Sequence, residues 1–451
     1  MDSSQPELQA AGRFTRAVLV LASGTALAHG ITAVSMPLLT RIYTPDNFGL
    51  LAVFTALLAI LSVAACLRYE LAITLPEDDG EAQGLLGLSL ACCVGLTLML
   101  VLLVGMFPEW LSTSLGQPQL KPFLWLLPLG FLLAGSYGAL QFWNVRTKAF
   151  GFMAGMRVAQ SAGSSGAQVA VGLVFAHPFG LLIGPVLNSG IACAFMGRSL
   201  KHALSGVTIA RMVELASSYR RFPLYSTGEA LANCAAIQLP VILIAAHATP
   251  AEAGQLSMAM FVAQAPLSLI GTAISQVYLS RAAELQRIGQ LGSFSIQVLG
   301  NLARTGAGPL LAAGILAPTL FPLVFGEDWT RSGLLLSWMT PWFLLQFLTV
   351  PLSMSLHVCS WHRAAMMLQV GGLVLRVGVV VLFQQWAPRW TSEIYALSGA
   401  LFYLVYLLII LNAVGATPKQ TATEILKRGK PVVAWVLGAA IVPALLLLVR
   451  S

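Results

Sequence analysis

Long apolar runs, each broken by a short polar stretch, recur from one end of this chain to the other. A helix that crosses a bilayer needs roughly 20 mostly apolar residues. Runs of that length predict helices at about 17–39, 48–75, 83–106, 122–143, 157–176, 179–197, 223–246, 251–279, 295–325, 332–358, 364–384, 392–413 and 431–449. The polar opening MDSSQPELQAAGRFTR is followed by an apolar run too long for a signal-peptide core, so the first helix is expected to be retained.

Two halves of this pattern echo each other. "GTALAH" (Gly24 to His29) returns as "GEALAN" (Gly228 to Asn233), and "TPDNFG" (Thr44 to Gly49) returns as "TPAEAG" (Thr249 to Gly254). "WLLP" (Trp125 to Pro128) is answered more weakly by "WMTP" (Trp338 to Pro341). Matches in the same order at a similar offset indicate a repeat. The fold class expected is an all-α polytopic membrane protein. Two lobes of six helices are related by a pseudo-two-fold axis along the membrane normal, and one extra helix follows at the C-terminus. The divisions are 1–200 for the first lobe, 201–222 for a linker, 223–414 for the second lobe, and 415–451 for a basic loop and the extra helix. In the linker, Ile209, Met212, Val213, Ala216 and Tyr219 share a helical face. That face should lie on the cytoplasmic membrane surface, with Arg211, Arg220 and Arg221 toward headgroups.

Composition agrees with the pattern. Of 451 residues, 57% are hydrophobic and 9% charged, whereas a soluble domain carries about 25% charged residues. The net charge of +8 is explained by topology rather than by nucleic acid. Basic residues gather in alternate loops, as in Arg146 and Lys148, then Arg198 to Arg221, then Lys419 to Lys430. The other side has few, among them Arg41, Lys121 and Arg389. By the positive-inside rule the N-terminus is cytoplasmic and the C-terminus periplasmic. The six cysteines sit in apolar runs without metal-ligand spacing, and they read as small buried hydrophobes.

"LLTRIYTPDNFGLLAVF" (Leu38 to Phe54), "LRYELAITLPEDDGEA" (Leu67 to Ala82), "YRRFPLYST" (Tyr219 to Thr227) and "FGEDWTRSG" (Phe325 to Gly333) carry a family resemblance. The chain resembles the polysaccharide-transporter branch of the MOP (MATE-like) exporter superfamily, the Wzx-type flippases of lipid-linked oligosaccharides such as O-antigen units. The likeness runs over about residues 13–413. It implies two bundles around a central cavity lined mainly by the first two helices of each lobe. It also implies alternating access that turns an undecaprenyl-diphosphate-linked sugar from the cytoplasmic to the periplasmic leaflet of the bacterial inner membrane. The partners implied are that lipid-linked oligosaccharide, membrane lipids and the polysaccharide polymerase machinery. No cofactor is implied beyond Na+ or H+ coupling.

A diphosphate on a lipid calls for arginine, whose fork of donors meets phosphate oxygens in pairs. Three arginines fall within predicted helices: Arg68, Arg304 and Arg376. Each costs roughly 2.5 to 3.5 kcal/mol at a helix centre by insertion scales. On a continuous helix Arg68 would lie about 12 Å in from Pro76, as a first phosphate contact or a snorkelling residue. Glu70, two residues on, would point elsewhere and pair with another helix or serve as a coupling acid. Arg376 falls near the midplane, facing either the cavity or an inter-helix bond, and Arg304 is intermediate between these cases. Thr25 and His29 correspond by repeat to Glu229 and Asn233. Each pair is four residues apart, placed to meet sugar hydroxyls or to act as polar glue between helices. Glu229 is the best-placed acid for ion coupling.

Two other readings compete. A small-molecule exporter of the same superfamily would favour an acid-lined cavity, whereas the embedded charges here are basic. A polytopic glycosyltransferase or ligase would tend to carry a large external loop, and the longest here runs only from Phe107 to Lys121. The acids of "PEDDGEA" sit where a helix begins, where its dipole favours them. A transporter, not an enzyme, is the expectation.

Overall fold

The computed structural model describes residues 4–175, 177–197, 204 and 207–450. The side chain of Glu229, and the whole of Arg198 and Lys201, lie outside what it describes. Every regular element among the described residues is helical. Nine helices there are long and apolar enough to cross a membrane. Of the thirteen spans expected, four miss that measure: α1 (Ser4–Ile42), α6 (Phe150–Val174), α10 (Pro250–Arg287) and the last, α18 (Lys430–Arg450). The first three of these carry polar residues along their length.

The chain divides into two compact units. The first comprises residues 1–43 and 50–238, and the second comprises 44–49 and 239–451. In the first unit α1 packs along α6, α6 along α7 (Pro178–Met196), and α7 along α5 (Leu126–Arg146). The polar residues of α6 form a seam. Ser161 Oγ donates to the Ala28 carbonyl at 2.6 Å and lies 2.7 Å from Thr32 Oγ1, both on α1. Gln160 donates to the Asn188 carbonyl and Gln168 to that of Leu181, each at 2.9 Å. Such bonds hold helices together where the apolar driving force of water is missing.

Helix α2 (Pro45–Ala64) stops well short of the expected residue 75. A turn follows, then a 3-10 helix, Tyr69–Thr74, packed against α3 (Asp79–Met106) and α5. Asp78 caps α3 by accepting from the Glu81 N–H at 2.9 Å. The linker does contain a helix, α8 (Ile209–Ser218), but the face it packs on α3 is centred on Leu215, buried beside Gly84. Ile209 and Val213, expected to face the membrane surface, are 79% and 65% exposed and so are not used in packing against α3.

The second unit contains α10, then α11 (Leu291–Leu302), which runs through a π turn, Ala303–Ala307, into α12 (Gly308–Phe325). Helix α13 (Thr330–Thr349) packs on α12 and on α16 (Thr391–Ala413), with α15 (His362–Trp386) against α16. A surface helix, α17 (Pro418–Arg428), rests on α11, and α18 lies along α12. Segment 44–49 joins this unit through close backbone contact. A Cβ on Gly49 would meet the Pro250 carbonyl oxygen at 1.9 Å, and one on Gly254 would meet that of Pro45 at 2.0 Å. The two copies of the "TP…G" motif thus pack on each other reciprocally. Phe48 adds an edge-on contact to the fully buried Trp329, with ring centroids 4.8 Å apart.

Candidate functional site

The expected geometry of Arg68 and Glu70 rested on a continuous helix, and the helix does not continue. Leu67 and Arg68 both take left-handed backbone angles, with φ of 50° and 64°. Non-glycine residues in that conformation cost roughly 1–2 kcal/mol each. The reversal brings residues two apart onto one side, so Arg68 Nη1 lies 3.7 Å from Glu70 Oε1. The ion pair excluded on helical spacing is therefore present, and the estimate of depth from Pro76 does not apply. The pair is incomplete: Arg68 Nε and Glu70 Oε2 are buried without a hydrogen-bond partner.

Around this pair the stretch is pinned from three sides. Tyr69 is buried, and its hydroxyl donates to the Ala216 carbonyl on α8 at 3.2 Å. Tyr219 donates to Glu81 Oε1 at 3.1 Å, and burial, with that carboxylate beside it, raises the phenol above its ordinary range. Arg146, at the end of α5, reaches the carbonyls of Ile73, Pro76 and Glu77 and the carboxylate of Asp79. A loop residue in the sequence reading, Arg146 is in fact the clamp on the segment that carries Arg68.

Thr25 and His29 do not act as one pair. Thr25 is half-buried in the seam, donating to the Leu21 carbonyl and accepting from Arg157 of α6, while His29 is exposed. Arg157, at the expected start of its span, lies two turns inside α6, which begins at Phe150. Asn233, on α9 (Thr227–His247), is exposed. Glu229 falls outside the described side chains.

Arg304 is exposed on the π turn between α11 and α12. Arg376 is only 4% exposed. Its guanidinium carbon lies 4.5 Å from the ring centroid of Phe402, 5.2 Å from Trp342 and 5.5 Å from Tyr403. This buried setting is that of an inter-helix contact, with the Tyr403 hydroxyl as a hydrogen-bond partner, rather than an open cavity wall. Aromatic faces take the charge, worth about 2 kcal/mol or more for a desolvated cation, and Nε and Nη2 have no hydrogen-bond partner.

One further cluster escaped the sequence reading. Arg331, at the start of α13, pairs with Glu252 of α10 at 2.9 Å and with Glu393 of α16. Glu252 also begins its helix under a Thr249 cap, whose hydroxyl accepts from the Glu252 N–H at 3.1 Å. Arg331 stands in the "FGEDWTRSG" stretch and Glu252 in the "TPAEAG" repeat, so both lay in segments already singled out.

Comparison with known proteins fits this architecture. A model of the family described as "Polysaccharide biosynthesis protein" matches residues 38–333. The succinoglycan biosynthesis transport protein ExoT of Rhizobium meliloti (strain 1021) is 23% identical over 312 residues, which is 67% of this chain and 60% of that protein. The chain thus spans about 60% of the length of this relative. Among solved structures, the lipid II flippase MurJ in an inward closed conformation superposes with a TM-score of 0.73 at 12% identity, covering 96% of this chain and 97% of that one. An inward-facing multidrug-resistance MATE transporter of the MOP superfamily gives 0.61 at 15% identity, covering 88% and 96%. The chain is a multi-pass membrane protein with the fold of these transporters, and it belongs to the polysaccharide biosynthesis protein family.

Proposed function

We propose that this protein is a flippase that moves an undecaprenyl-diphosphate-linked oligosaccharide from the cytoplasmic to the periplasmic leaflet by alternating access. The observation that carries this reading is the imbalance of charge. Glu70, Glu252 and Glu393 are each paired with an arginine, whereas Arg157, Arg304 and Arg376 have no acid partner among the described residues. A protein with surplus fixed cations suits an anionic cargo better than a cationic drug. Arg68 is the proposed first contact for the diphosphate. It is partly exposed and held in a strained turn. Strain of this kind persists where the surroundings enforce it, and it clusters at functional sites.

The direction follows from electrostatics. With a negative cell interior, an outward-moving anion gains about 2.3 kcal/mol per elementary charge for each 100 mV crossed. Ion coupling through Glu229 or Glu70 is then helpful but not compulsory. Arg304, His29 and Asn233 are exposed and available to glycan, with the polymerase machinery receiving the product. The two lobes and the linker act as the moving parts, with α8 lying at the cytoplasmic surface.

A deletion strain tests the reading. Lipid-linked oligosaccharide should accumulate on the cytoplasmic face with an unaltered glycan structure. An altered glycan would point to an enzyme, and a normal distribution combined with drug sensitivity would point to a small-molecule exporter.

A further inference from the structure

A cavity of about 700 Å³ opens in the first unit between the end of the 3-10 helix, the start of α3 and the end of α5. That size falls within the roughly 300–1,000 Å³ of ligand pockets. Its wall is fixed by Arg146, whose hydrogen bonds run Nε to Asp79, Nη1 to Ile73 and Pro76, and Nη2 to Glu77 and Asp79. A guanidinium has five N–H donors, so none is left for a ligand. The cavity's one cation therefore cannot grip a phosphate.

The remaining polar atoms are nearly all acceptors. The Thr74 hydroxyl donates to the Leu71 carbonyl and that of Thr147 to the Asn144 carbonyl, leaving their lone pairs free. Glu77 lines the cavity with an exposed carboxylate, and Asp79 has a second oxygen beyond the one held by Arg146. The Gln83 amide brings a donor pair and a further acceptor, and half-buried Trp143 brings an apolar face and an indole N–H. A ligand that suits this lining is rich in hydroxyl donors, has an apolar face to lie on an indole, and carries no phosphate.

We infer that this cavity binds a sugar of the glycan, separately from the diphosphate. The inference rests on the flippase reading above, which places this end of the unit at the cytoplasmic surface where the lipid-linked sugar waits. The Arg68 turn and the cavity are the two ends of one short segment, Arg68 to Asp79, clamped by Arg146. Charge contact and sugar contact are thereby assigned to different groups: Arg68 accepts any prenyl diphosphate, and the cavity selects among the glycans attached to one.

The test uses full-length protein and the reducing oligosaccharide freed by mild acid from lipid-linked material of the deletion strain. Binding is followed by saturation-transfer NMR and calorimetry. The wild type should bind it. Trp143→Leu and Glu77→Gln should each weaken binding about tenfold or more. Trp143→Phe should retain it, which separates a lost platform from a lost fold. Farnesyl diphosphate should not compete. Equal binding by all variants, no binding by the wild type, or displacement by phosphoethanolamine in place of sugar would overturn the inference. A strain that accumulates no lipid-linked oligosaccharide at all would instead overturn the flippase reading, so the two failures are distinguishable.

Discussion

Adding one methyl group to Gly49 should force apart the two helix starts that meet in the second unit. In the present packing the new carbon would lie 1.9 Å from the Pro250 carbonyl oxygen, and ordinary contact begins near 3.4 Å, so the backbones must separate by 3.4 − 1.9 = 1.5 Å. Overpacking of this kind costs about 1–3 kcal/mol, which lowers the population of the closed contact roughly 5- to 150-fold. Hydrogen exchange of the purified protein reads this directly. Peptides covering 44–54 and 249–258 should exchange faster in Gly49→Ala, while α3 and α5 stay protected. Because Gly254 meets Pro45 in the reciprocal arrangement, Gly254→Ala should do the same. The double variant should cost less than the sum, since the first separation makes room for the second methyl. Gly95→Ala serves as the control: it has open space within 4 Å, and alanine is the better helix former by about 0.8–1.0 kcal/mol. Unchanged exchange and an unchanged melting midpoint in Gly49→Ala would refute the reasoning.

Arg331→Ala should strand the carboxylates of Glu252 and Glu393. Breaking a buried pair costs about 3–5 kcal/mol, and partial exposure of Arg331 places the loss toward the low end. A fall in thermal midpoint, partly restored by adding Glu252→Gln, would show it. Phe402→Ala should lower the midpoint by removing both a core ring and a face of the Arg376 cage, about 3–5 kcal/mol. Arg376→Met should be far milder, because two unmet donors leave with the charge. A reporter fused after Ser451 should be active only when it senses the periplasm, given the basic loop before α18.

The spans were legible in the sequence because burial in lipid demands long apolar runs, and nothing else in a chain looks like that. The polar helices α1 and α6 were found by the same rule, but α6 lost its first two turns, Phe150 to Met156. A helix that hides an arginine and several amides and serines in a seam reads as a loop and a shorter span. The break after Ala64 was invisible for a different reason. Neither glycine nor proline marks it, and Leu67 and Arg68 adopt the left-handed turn against their own preference, held there by Tyr69, Arg146 and the packing of α3 and α5. The setting of Arg376 was equally hidden. Its ring partners come from α13 and α16, and no spacing within α15 announces them.

The central claim, that Arg68 engages the diphosphate of a lipid-linked oligosaccharide in transit, is tested most directly in reconstituted vesicles. Lipid-linked oligosaccharide is placed in both leaflets, and an impermeant oxidant added outside consumes whatever sugar it can reach. With wild-type protein the inner-leaflet pool should also be consumed as it is turned outward. With Arg68→Ala at equal protein density it should survive, and Arg68→Lys should fall between, keeping the charge without the paired geometry. Consumption in Arg68→Ala that matches the wild type molecule for molecule would contradict the account.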